Sequence, residues 1–339
     1  MPVRLRDVAD RAGVSPRTVS NVVNGYPYVS STMRAKVQEA LDDLDYQPNL
    51  VARSLRQGRT GIIGFLVPEI ISTYFSELAH QIVEQASDLG LTVLIDETGG
   101  SVERELAVLE VMSRSGQVDG ILLSALGLTG PRLTQLRPRV PLVLLGERTA
   151  RSTLDHVGIN NIAAARDATR HLIASGRTRI AAMAEKSQPP APTSRLRLRG
   201  YRAALTAAGL PYEPELVARI DYYRRADGAE AMHRLLSLPA PPDAVFCFND
   251  LLAIGALREM STQGVRVPED IAVIGFDDVE ESRFCVPTLS TVTPDKAEIA
   301  RRAIDLLNRR VAGSREPTHD IEIPYQLTVR ASSSSPARS

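Results

Sequence analysis

Apolar positions in the first fifty residues recur at helical spacing, while those beyond Gly61 come in short unbroken runs. Leu5, Val8, Ala9 and Ala12 share one face of a predicted helix. Gly13 follows, where a left-handed residue can end a helix. Ser15 suits the next N-cap and Pro16 the first helical position, which needs no amide donor. Val19, Val22 and Val23 mark the inner face of that second helix. Met33, Val37, Ala40, Leu41 and Leu44 place a third over Thr32–Leu44, capped by Ser30 or Ser31. Residues 1–47 thus read as a small helical domain. Residues 48–60 read as a linker, in which Leu50–Leu55 could form a helix too short to be stable alone.

From Gly61 the runs Ile62–Val67, Thr92–Ile95, Gly120–Ser124, Leu142–Leu145, Ile180–Ala184, Ala244–Phe248 and Ile271–Phe276 read as buried strands. They alternate with amphipathic stretches such as Phe75–Leu89, Asn161–Ala174, Asp250–Gln263 and Asp295–Ala312. Such alternation predicts parallel sheets with helices on both faces. Residues 61–331 are too many for one compact sheet of this kind, so two lobes are expected. The Ser-rich end, 332–339, is expected to be disordered.

Composition is that of an ordinary soluble globular chain, 43% hydrophobic and 24% charged. The net charge is zero, yet the first 60 residues carry nine Arg/Lys against six Asp/Glu. A basic head suits a polyanion. The two cysteines, Cys247 and Cys285, sit in no CxxC or Cys/His cluster, so neither zinc nor a disulfide framework is expected. Reduced thiols fit a cytoplasmic location. No secretion-type apolar run opens the chain and no run is long enough to span a bilayer. GxGxxG, the P-loop and HExxH are all missing, so no cofactor and no enzyme are expected.

Ala9-x3-Gly13-x-Ser15, followed by a Val-faced helix, is a helix-turn-helix pattern. The outer face of the second helix offers Arg17, Thr18, Asn21 and Asn24. Arg can fork onto a guanine edge and Asn onto adenine. Ser15, Thr18, Ser20 and Ser30 are short donors suited to phosphates, which fix register. A small three-helix unit with no DNA to bind could show the same spacing.

The stretch from Leu5 to Asn24, with Val29-Ser30, Tyr46-Gln47-Pro48-Asn49 and Ala52-Arg53-Ser54-Leu55, closely resembles the lactose/galactose repressor (LacI/GalR) family. Asn249–Ala256, Ile274–Asp278 and Leu327–Arg330 extend the resemblance along nearly the whole chain. It implies an N-terminal all-α helix-turn-helix head on an α/β periplasmic-binding-protein-like core of two doubly wound parallel-sheet lobes. It also implies a sequence-specific repressor, homodimeric on a palindromic operator and controlled by a small-molecule effector. Pro16, Arg17 and Asn21 match the family's base-reading positions. Leu55, with Ala52 beside it, matches the leucine that wedges a central base step, a CG, from the minor groove; packing between domains is the alternative for Leu55. Arg53, Arg56 and Arg59 would add salt dependence or be solvated linker charges.

The resemblance further places the effector between the lobes, at the carboxyl ends of strands, where open α/β sheets bind ligands. The lobes would be joined by crossings near Asn160–Ile162, Ser290–Thr293 and Thr318–Ile321. The candidates are Ser72, Tyr74, Phe75, Ser124, Glu147, Arg197, Tyr223, Asn249 and Asp277. For Phe75 the alternative is to face the core, and Tyr222 competes with Tyr223. Arg195 and Arg199 read as solvated and Asp278 as structural. The polar residues favour a sugar or polyol, with a purine or nucleoside as the alternative. There is no tryptophan, so any stacking platform is Tyr or Phe. No leucine heptads close the chain, so a dimer rather than a tetramer is expected.

Overall fold

The structure, a computed structural model, describes residues 3–23, 26–46, 59–128, 131–146, 153–185 and 192–334. Two compact units result, Met1–Gly61 and Ile62–Ser339.

The first unit holds three helices: α1 (Leu5–Ala12), α2 (Pro16–Val23) and α3 (Ser31–Asp43). Each is too short to persist alone in water. They are held by a shared core of Val8, Ala9, Ala12, Val19, Val22, Val37 and Ala40, all buried. Each buried valine contributes on the order of 1.5–3 kcal/mol. Gly13 ends α1 at φ 61°, and its amide turns back to Ala9 and Asp10. That left-handed turn swings the chain directly into α2. Ser30, not Ser31, caps α3, accepting from the Met33 amide at 3.3 Å. An Arg11–Asp43 ion pair joins α1 to α3.

The second unit contains two six-stranded sheets. The N-lobe sheet runs, in spatial order, 320–322, 155–158, 142–145, 120–124, 62–67 and 92–97, all parallel. The C-lobe sheet runs 325–328, 290–294, 272–276, 244–247, 180–185 and 217–220. Only its 325–328 edge is antiparallel. Each sheet is covered on both faces, so each lobe has two apolar layers. That is why the central strands read as continuous apolar runs.

The crossings fall at 158–161, 294–296 and 322–325. The last two lie later than the sequence suggests. Ser290–Pro294 completes a C-lobe strand before the chain crosses, and Asp320–Glu322 still pairs with Asp155–Gly158 in the N-lobe. The expected disordered end is also corrected at its start. Ser332 and Ser333 are buried. Ser332 donates to the Val273 carbonyl (2.7 Å) and accepts from the Ser290 amide (2.8 Å), while Ser333 meets His171 at 2.7 Å. Small hydroxyl side chains here bond to strands 272–276 and 290–294 rather than solvate a tail. Residues 335–339 lie outside the described residues.

Candidate DNA-binding head and effector cleft

In the head, Val19 and Val22 turn α2's inner side into the core. Ser15, Pro16 and Arg17 are left exposed, with Thr18, Ser20 and Asn21 partly so. Arg17 therefore projects from the same end of α2 as its cap. Ser15 is committed locally: its hydroxyl oxygen accepts from the Thr18 amide (3.1 Å) and lies 2.9 Å from the Thr18 hydroxyl. Ser30 is likewise held as a cap. Tyr26 and Tyr28, 50% and 86% exposed, meet edge to face between α2 and α3. They were missed in the sequence because aromatic residues in a turn carry no periodic signal. Asn24, Ala52, Arg53 and Leu55 lie outside the described residues.

In the second unit a cleft of about 600 Å³ opens between the lobes. Ser72, Tyr74, Phe75, Ser124, Arg197, Tyr223, Asn249 and Asp277 all line it. Glu147 lies outside the described residues, next to the lining residue Gly146. The cause of this convergence is topological. Parallel strands all end on the same side, so the residues after each one meet at one edge.

The centre of the cleft is a charged cluster around Arg197, 8% exposed. Its Nε donates to Asn161 Oδ1 at 2.8 Å, and another guanidinium nitrogen donates to the Phe248 carbonyl. Asp277 Oδ1 is 3.9 Å away. A guanidinium so placed is rigid, and its charge is shared with a carboxylate that also faces the cleft. Such a pair offers both donors and acceptors to adjacent hydroxyls.

Aromatic walls stand on both lobes. Tyr74 and Phe75 meet edge to face, ring centroids 5.2 Å apart. They line the cleft and also pack on the N-lobe core, so Phe75 does both things the sequence left open. Tyr222 and Tyr223 both line the other wall. Tyr222 is 57% exposed, whereas Tyr223 is packed against both C-lobe cores. Asn249 caps the following helix through the Leu252 amide (2.9 Å) and donates to the Tyr223 carbonyl (3.1 Å). Its amide thus positions the tyrosine.

Two buried carboxylates hold the walls from behind. Glu105 accepts from the amides of Leu126, Gly127 and Leu128 at 2.8, 3.0 and 2.6 Å, fixing the loop that lines the cleft after the 120–124 strand. Asp250 accepts through Oδ2 from the Val279 amide (3.0 Å) and Ser282 (2.8 Å), and its Oδ1 lies 2.6 Å from the Thr291 hydroxyl. It lies beneath the turn in which Asp277 and Asp278 take φ 114° and 47°. Full burial, and then the charge of Asp277, push the Asp250 carboxyl up to about 8. Asp278 is held by Arg330 at 2.7 Å. His156 ties Asp320 (2.8 Å) to the carbonyl of the lining Gly146 (3.0 Å).

Comparison with known proteins decides the family. The family described as "Bacterial regulatory proteins, lacI family" matches residues 4–49, and "Periplasmic binding protein-like domain" matches residues 169–333. The HTH-type transcriptional repressor CytR of Escherichia coli is 34% identical over 97% of this chain and 95% of its own.

The chain belongs to the LacI family.

Among solved structures, the transcriptional regulator CelR–cellobiose complex is 31% identical, covering 97% of this chain and 99% of that one, with a TM-score of 0.72. The lac repressor dimer bound to operator and the anti-inducer ONPF reaches a TM-score of 0.88 at 27% identity, covering 99% and 100%. The cleft of this LacI-family chain is also lined by residues that sequence reading passed over: Glu69, Asn161, Asp221 and Phe276. Asp221 follows a strand, Val217–Ile220, too short and too mixed to announce itself. Arg195, read as solvated, is exposed yet lines the cleft. Among the described residues no helix is long and apolar enough to cross a membrane, and no cluster could hold a metal ion.

Proposed function

We propose that this chain is a homodimeric transcriptional repressor that grips a palindromic operator with its head and is controlled by a sugar in its cleft. The observation that carries this reading is the pairing, in one chain, of an exposed Arg17 on α2 with the rigid Arg197–Asp277 cluster between lobes. Arg17 and Asn21 read bases; Pro16, Ser15, Thr18, Ser20 and Ser30 set register on the backbone. The resemblance assigns Asn24, Ala52, Arg53 and Leu55 to the same interface and Glu147 to the cleft. Carboxylate–guanidinium pairs and aromatic faces suit a ring carrying hydroxyls. The likeness to a cellobiose complex supports a sugar over other polar ligands. The sugar acts through its different affinity for two lobe arrangements, and this difference limits its effect on DNA binding. The protein works in the cytoplasm, on the chromosome, and is not an enzyme.

The test is fluorescence anisotropy of the full chain on a palindrome selected from random DNA, with and without a panel of sugars. Selection of a palindrome, and a tenfold or larger change in its affinity with one sugar, is expected. Absence of any selected sequence overturns the repressor reading. Response to a nucleoside but to no sugar replaces the sugar with its alternative. Light scattering should give twice the chain mass of 36.9 kDa.

A further inference from the structure

Three polar residues at intervals of four face the C-lobe from the N-lobe: Glu69 in the approach to α4 (Thr73–Ser87), then Thr73 and Glu77 on it. Glu77 sits beside the second crossing. It receives Lys296 Nζ at 2.5 Å and the Glu280 amide at 2.8 Å. Lys296 also donates to the Asp278 carbonyl (2.9 Å), in the turn that carries Asp277 into the cleft. Further out, Thr73 donates to Glu281 (3.3 Å), which also takes Arg225 (2.6 Å). Outermost, Glu69 meets Arg224 at 3.1 Å, and Arg224 lies 4.8 Å above the Tyr222 ring. Exposure of the basic partner rises outward: the side chain of Lys296 is 12% exposed, that of Arg225 49% and that of Arg224 54%.

Resting on the reading of the cleft as an effector site, we infer that this series is a graded clasp between the lobes. Glu77, beside the crossing, is its inner end, and Glu69–Arg224 is its releasable outer end. Glu69 and Tyr222 both line the cleft, so a ligand reaching its mouth meets the clasp directly. An exposed ion pair is weak and sensitive to salt, which suits a bias on lobe closure rather than a lock. Glu69 and Arg224 are thereby positioning residues for closure.

Hydrogen exchange of the full chain tests this, with E69R, R224E and the swap E69R/R224E. Each single reversal should speed exchange at the Glu280 amide and at residues 222–225 about three- to tenfold. The swap should return it towards wild type. Singles that exchange like wild type, or a swap as fast as the singles, overturn the clasp. If a reversal variant does not fold, E69Q and R224Q are read in the same way. Exchange is measured without DNA or sugar, so its outcome is separable from that of the operator assay.

Discussion

The guanidinium of Arg197 lies 3.4 Å from the centre of the Phe276 ring. Cation and ring face each other in a site where Arg197 is almost dry, so the contact is strong and directional. The ring's face is taken by Arg197, which leaves stacking on a ligand to Tyr74, Phe75, Tyr222 and Tyr223.

Removing Arg197 leaves Asp277 and Asn161 buried without it. R197A should cost roughly 1–3 kcal/mol, since Asn161 and the buried Phe248 carbonyl each lose one donor. Urea unfolding of the full chain measures this. R197K keeps the charge but not the planar fork, so it should fold and yet bind the sugar at least about tenfold more weakly by calorimetry.

On the head, R17A should cost about 1–3 kcal/mol of operator affinity and relax one position in each half-site. Anisotropy against single-base operator variants reads both effects. Uniform weakening across all variants would make Arg17 a phosphate contact instead.

E105A strands three amides behind the cleft wall. The Leu128 amide is buried and those of Leu126 and Gly127 partly so; with an unmet buried amide costing roughly 1–3 kcal/mol, a net loss of about 3 kcal/mol is expected. Faster hydrogen exchange should be confined to residues 126–128 and their neighbours. Exchange that rises evenly over the N-lobe would point to general loosening.

Asp250 gives a pH dependence. Its carboxyl rises from an ordinary 3.8 to about 8 on folding. Between those values the native chain keeps a proton that the unfolded chain has lost. Its contribution is therefore fully present below about pH 4 and declines as pH rises towards 8. Melting of wild type minus that of D250N, from pH 5 to 8.5, should fall with pH. A difference that rises with pH would reverse the assignment.

The uninterrupted strands were readable because burial on both faces favours apolar residues, as in Ile121, Leu122 and Leu123 and in Ala244–Cys247. Asp155–Gly158 was not, since its charge is met only from afar: Arg310 holds Asp155 through 2.6 and 3.0 Å contacts, and Asp320 meets His156. No local pattern encodes partners more than 150 positions away. The cleft residues were legible by the same logic in reverse. Residues that end or follow an obvious strand, such as Ser124, Asn249 and Asp277, could be named, and Asp221, after a strand with little pattern, could not. Glu105 looked like any helix-surface glutamate, because only the folded loop after Ser124 turns its carboxylate into an anchor.

The late placement of the last two crossings bears on how the chain is made. The N-lobe begins at Ile62 but takes a helix and its edge strand from 296–322, and the C-lobe finishes with Ser332. Neither lobe can be completed while the ribosome still holds those residues. The head, whose core closes within its first 46 residues, can fold as soon as it emerges. During synthesis, a finished DNA-reading module should therefore precede the part that governs it, and a chain broken off before residue 296 would carry the reader without its regulator.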